Sequence, residues 1–241
     1  MSRFVPKAPF DRPVRAVVAD IDGTLTTPDR RLSMSAQTAV MRLEAVGIPV
    51  VVASGNVMPS ARTAAYMVGA TGPVVAENGG MVLYRDEKWE ERIERLADHR
   101  IALAAWERVH AALPGARRLI TDRWRESEIA IEETVDIESV RRLVAGMSVS
   151  VEHTGFAIHI FDARVSKGTG VLRALEILDV PPDEVMAVGD SENDLSVFEV
   201  CGLNVAVSRK DPRLLAKAHY VERDTGGDGF FEAVSRLLGP P

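Results

Sequence analysis

The stretch VRAVVADIDGT, residues 14–24, decides the fold. Its first six residues are mostly apolar and rich in valine, the pattern of a strand buried on both faces of a parallel sheet. The run stops at Asp20, Asp22 and Gly23, so carboxylates and a turn stand at the carboxyl end of that strand. Working outward, residues 48–53 (IPVVVA), 74–76, 185–188 (VMAV) and 204–207 read as further strands. Helical spacing of apolar residues predicts helices over 35–46, 58–68, 167–178, 195–200, 212–218 and 230–238. The first of these carries Ala36, Val40, Leu43 and Val46 on one stripe, with Gly47 as its C-terminal cap. Strands that alternate with helices in this way predict an α/β class, a doubly wound parallel sheet.

The alternation is interrupted once. Residues 91–113 read as one long helix closed by Pro114 and Gly115, followed by alternating stretches at 117–121 and 128–132. A helix over 136–145 comes next, then a hairpin of 149–153 with 156–161 across Thr154 and Gly155. This pattern predicts a small α+β insertion. The expected organisation is an N-terminal extension over 1–13, a core made of 14–84 and 163–241, and an inserted domain over 85–162.

Composition narrows the function classes. The 241 residues hold 35 acidic and 29 basic side chains, a formal charge of −6, which disfavours a nucleic-acid partner. Cys201 is the only cysteine, so intrachain disulfides and CxxC metal sites are excluded. No stretch reaches the roughly 18 consecutive apolar residues of a membrane span, and the first residues lack an apolar signal core. The expectation is a cytoplasmic protein with no membrane partner, working as a monomer or homodimer.

Ligands in open parallel sheets bind outside the carboxyl ends of the strands. The polar residues at those ends are Asp20 and Asp22 after the first strand, Ser54 after the second, and Asp190, Asn193 and Asp194 after 185–188. Lys167 opens the helix ahead of that last strand. Singly, each has a structural explanation as a helix cap, a turn residue or a surface lysine. Together they set four carboxylates on one sheet edge, and such crowding persists only when a cation neutralises it. An all-oxygen donor set without His or Cys points to a hard ion, Mg²⁺ before Zn²⁺. A lysine and a hydroxyl beside it suit a phosphate, with one carboxylate free to attack and a second to move protons.

Asp20-Ile-Asp-Gly-Thr24, Ser54, Lys167 and Gly189-Asp-Ser-Glu-Asn-Asp194 resemble, in order, the four motifs of the haloacid dehalogenase superfamily. The insertion resembles the C2-type cap of its subclass IIB, the Cof-like phosphatases, and Thr225-Gly-Gly-Asp-Gly229 is similar to that group's C-terminal turn. The resemblance implies that Asp20 attacks phosphorus and ligates Mg²⁺. It implies that Asp22 protonates the leaving alcohol, activates water and offers its backbone carbonyl to the metal. Ser54 and Lys167, with Asn193, would hold the phosphoryl oxygens, and Asp190 and Asp194 would complete the metal site.

Ser54-Gly-Asn-Val57, Glu77-Asn-Gly-Gly80 and Thr121-Asp-Arg-Trp-Arg-Glu126 resemble the archaeal group of phosphoglycolate phosphatases. That implies a small phosphomonoester, 2-phosphoglycolate, as substrate, with Arg123 and Arg125 available as a clamp on its carboxylate. A sugar-phosphate phosphatase would share every core motif, a phosphomutase would yield an isomer in place of free phosphate, and a regulatory module would not need an intact ligand set. Lys167-Gly-Thr-Gly170 is no P-loop and Ser54 lacks the GxSxG elbow.

Overall fold

In the computed structural model, which describes residues 13–154 and 157–240, the quoted stretch forms β1 (Ala16–Ala19), buried throughout. After it come α1 (Met34–Ala45), β2 (Val50–Ala53), α2 (Met58–Val68), β3 (Val74–Ala76), β4 (Met81–Arg85) and β5 (Glu91–Arg95). The inserted module follows, with α3 (His99–Ala112), β6 (Glu128–Glu132), α4 (Ile137–Leu143), β7 (Val149–His153) and β8 (Ala157–Asp162). The chain closes with α5 (Lys167–Leu178), β9 (Val185–Gly189), α6 (Leu195–Val200), β10 (Leu203–Ala206), α7 (Pro212–Lys217), β11 (Tyr220–Val221) and α8 (Gly226–Leu238). The proposed extension, apart from Pro13, and the turn residues Gly155 and Phe156 lie outside the described residues.

The large sheet runs β11-β10-β9-β1-β2-β3-β4-β5, parallel from β11 to β3 and antiparallel over β4 and β5. Strand alternation sends Val17 and Ala19 into a core with α1, α2 and α8, while Ala16 and Val18 face α5, α6 and α7 on the other side. The doubly wound class follows from this two-sided burial. From β1 the chain winds outward through β2 and β3, whereas β9 and β10 extend the sheet the other way. The loops after β1 and β9 therefore diverge and open a crevice at the switch point.

The inserted module is a three-stranded antiparallel sheet, β6-β8-β7, with α3 and α4 packed through Ala102, Ala105, Val109 and Val140 onto Ile129, Ile131, Ile158 and Ile160. Its chain leaves and re-enters the core at adjacent points, where the Asp98 amide donates to Asp162 Oδ2 at 3.3 Å.

Two expectations need correction. Residues 91–95 are not the start of a long helix but a strand paired with β4 over five registers, so the large sheet continues past the expected boundary at 85. The cause is the turn before it, where Asp86 Oδ1 accepts from the amides of Lys88 (2.9 Å) and Glu90 (3.0 Å) and reverses the chain. Residues 117–121 do not form a strand either. They make one bridge, Arg118 to Ile131, before a 3₁₀ turn over Ile120–Trp124.

Candidate active site

Lys167 is the first residue of α5, and a capping box fixes where that helix begins. Ser166 Oγ accepts from the Thr169 amide (3.2 Å) and Thr169 Oγ1 from the Ser166 amide (2.8 Å). From there the buried Nζ of Lys167 donates to Asp20 Oδ1 and to Asp194 Oδ1, both at 2.8 Å. The other oxygen of Asp194 accepts from the amides of Asp190 (2.9 Å) and Ser191 (3.3 Å), which ties the turn after β9 to the lysine. Gly23 lets the loop after β1 approach this cluster, since a Cβ there would lie 2.3 Å from the Asp190 carboxylate.

The charges are poorly hydrated and close. Burial holds Asp20 well above the usual carboxylate range, against the pull of Lys167 and with the help of Asp194 and Asp190. Burial, then Asp194, pushes Asp190 up to about 6. For Lys167 burial works against the charge, but Asp194 and Asp20 outweigh it and its pKa is raised. Ligand oxygens from Asp20, Asp190 and Asp194 lie within 4.8 Å of one another. Asp190 Oδ1 is buried without a hydrogen-bond partner. An orphaned oxygen in an all-carboxylate set fits a hard divalent cation, which would remove the penalty these three groups impose on one another.

In front of this cluster is a pocket of about 40 Å³, lined by Asp20, Asp22, Ser54, Asn56, Asn193 and Thr154, among others. Asn56 Nδ2 donates to Asp22 Oδ2 at 2.7 Å, and the Asn56 amide donates to Ser54 Oγ at 3.0 Å. Asn193 Oδ1 accepts from Ser191 Oγ at 2.8 Å. The pocket thus gathers Asp20, Asp22, Ser54 and Asn193, while Lys167, Asp190 and Asp194 form the charged layer beside Asp20.

The arginine pair is not assembled. Arg123 is exposed, its guanidinium 5.6 Å from the centre of the half-exposed Trp124 ring. Arg125 is buried, donates to the Gly55 carbonyl at 3.0 Å and pairs with Glu128. The 3₁₀ turn ends between them and Arg125 is extended, so alternate positions diverge and form no clamp. The sequence places Asn56 at the strand end with Ser54 and Thr154 in a hairpin turn but gives neither a role at the site, and it does not single out the buried Glu128–His159 pair. Asn56 stands two residues after Ser54 at the same strand end, so the rule that found Ser54 reaches it too. Thr154 reads as a hairpin-turn residue and carries no signal of a role at the site.

Residues 17–112 and 125–234 match the family of haloacid dehalogenase-like hydrolases, and the chain belongs to that family. A phosphoglycolate phosphatase of Methanothermobacter thermautotrophicus is 39% identical over 226 residues, covering 94% of this chain and 100% of the relative. A crystal structure from Thermoplasma acidophilum superposes with a TM-score of 0.82 at 24% identity, covering 93% of this chain and 100% of that one. A subclass IIB sugar phosphatase of the same superfamily shares the fold, with a TM-score of 0.75 at 15% identity over 92% of this chain and 98% of its own.

Proposed function

We propose that this hydrolase cleaves a small phosphomonoester, 2-phosphoglycolate first among them, through an aspartyl-phosphate on Asp20. The observation that carries the reading is the buried Lys167 bridging Asp20 and Asp194 beside the orphaned oxygen of Asp190. That arrangement holds one carboxylate against a site for cation and phosphate at once. Mg²⁺ is the ion such a set of oxygens suits, held by Asp20, Asp190 and Asp194; when bound it neutralises phosphoryl charge. Lys167 and Ser54 bind phosphoryl oxygens, with Asn193 at the rim of the pocket. Asn56 holds the Asp22 carboxyl where it delivers a proton to the leaving oxygen and later takes one from water. Positioning and charge compensation supply most of the rate in such transfers.

The name of the curated relatives supports 2-phosphoglycolate over a sugar phosphate. With Arg123 and Arg125 apart, carboxylate recognition falls to donors around the pocket. We place the enzyme in the cytoplasm; no helix among the described residues is long and apolar enough to cross a membrane. Replacing Asp20 by Asn removes the nucleophile and lowers phosphate release by at least about 10³-fold while circular dichroism stays unchanged. Undiminished release would refute the mechanism. Across a panel of phosphomonoesters, a preference for neutral sugar phosphates would refute the substrate assignment.

A further inference from the structure

Among the described residues lining the pocket, Thr154 is the one supplied by the inserted module. Its Oγ1 lies 2.9 Å from His159 Nε2, and His159 Nδ1 lies 3.0 Å from Glu128 Oε1. Glu128 is itself paired with Arg125 and accepts from Asn78 Nδ2 at 2.8 Å. All of Glu128, Arg125, His159 and Asn78 are buried.

This chain of partners fixes one proton after another. The Glu128 carboxylate only accepts, so Nδ1 of His159 carries the ring proton. Burial, then the charge of Arg125, holds His159 down at about 3, so the ring is neutral and Nε2 carries no proton. Thr154 O–H then donates to Nε2, and the hydroxyl turns only lone pairs toward the pocket. Carboxylate and phosphoryl oxygens gain nothing from facing a second acceptor. Water, which brings protons, does.

We propose that Thr154 positions the water that attacks the aspartyl-phosphate, accepting the hydrogen bond that Asp22 does not take. Thr154 and Asp22 line the same pocket, which has room for a water between them and Asp20. In the step, the water oxygen bonds to phosphorus as the bond from phosphorus to the Asp20 oxygen breaks. The electron pair returns to Asp20 as carboxylate. One water proton passes to Asp22, which gave up its proton to the leaving alcohol. The other stays on the departing phosphate, hydrogen-bonded to Thr154 until release. The inference rests on the phosphoenzyme reading given under Proposed function.

The test is rapid acid quench with p-nitrophenyl phosphate, following nitrophenolate, phosphoenzyme and free phosphate separately. Thr154→Val keeps the nitrophenolate burst within about twofold, slows phosphoenzyme decay about tenfold, the worth of one neutral hydrogen bond, and makes phosphoenzyme accumulate. Thr154→Ser restores decay to near the wild-type rate. A Thr154→Val burst slowed as much as turnover, with no accumulation, overturns the proposal, as does a Thr154→Ser variant that decays as slowly as Thr154→Val. Failure to trap phosphoenzyme in either the wild type or Asp22→Asn defeats the phosphoenzyme reading itself, a separate result.

Discussion

Lys167 keeps its charge where almost no water reaches it, and it does so because two carboxylates stand 2.8 Å away. His159 meets the opposite solution, with burial and a neighbouring Arg125 driving its proton off. The consequence for stability has a definite sign. In the unfolded chain the ring titrates near 6.5, in the folded chain near 3. Between those values the unfolded state binds the extra proton, so stability present above about pH 6.5 is lost as the pH falls toward 3. His159→Gln, which keeps a donor for Glu128, flattens that acid limb relative to wild type in urea denaturation followed from pH 7 to pH 3.5. An unchanged limb would contradict a neutral His159. At this scale the sequence was legible wherever a residue followed a buried strand, as Asp20, Asp22, Ser54 and Asp190 do. It was not legible for Arg123 and Arg125, because spacing in a turn does not set the direction of a side chain.

Elements repeat the lesson with a different cause. Helices over 58–68 and 167–178 were readable because a single apolar stripe meets a single core. The strand β5 was not, since Glu91, Arg92, Glu94 and Arg95 suit i,i+4 pairing on a helix as well as pairing across a sheet edge. Here they serve the edge: Glu91 binds Arg62, Arg92 binds Asp86, and Glu94 binds both Tyr84 and Arg173. The placement of α5 depends on another local fact. Gly79 has a φ of +96°, and a Cβ there would lie 1.8 Å from the Ser166 carbonyl, the residue that caps α5. Gly79→Ala therefore displaces the start of the helix that carries Lys167. Chemical denaturation should show a loss of about 2–4 kcal/mol, from backbone strain and overpacking together. Phosphate release should fall at least tenfold in protein that remains folded.

Over the whole molecule, the proposed cation links folding to catalysis. Asp20, Asp190 and Asp194 repel one another in the folded chain and are apart in the unfolded one, so an ion that binds all three favours the fold. Saturating Mg²⁺ at about 100 times its dissociation constant should add about 2.7 kcal/mol to stability. A thermal scan with and without chelator reads this as a rise in the unfolding midpoint, and Asp190→Asn should lose most of it. A midpoint indifferent to Mg²⁺ would remove the cation from this site. Much of this scale was legible too, because alternating strand and helix permits few windings. The contact between inserted module and core was not. It runs through buried pairs such as Arg125 with the Gly55 carbonyl, which join residues seventy positions apart without any local pattern.

The adjacency of Asp98 and Asp162, where the chain leaves the core and returns to it, bears on ancestry. Everything between those two residues is a cassette whose ends already touch. It can be lengthened, shortened or exchanged without separating β1 from β9, so lineages can revise what the crevice admits, and the water contact that Thr154 offers, while Asp20, Lys167 and Asp190 stay together.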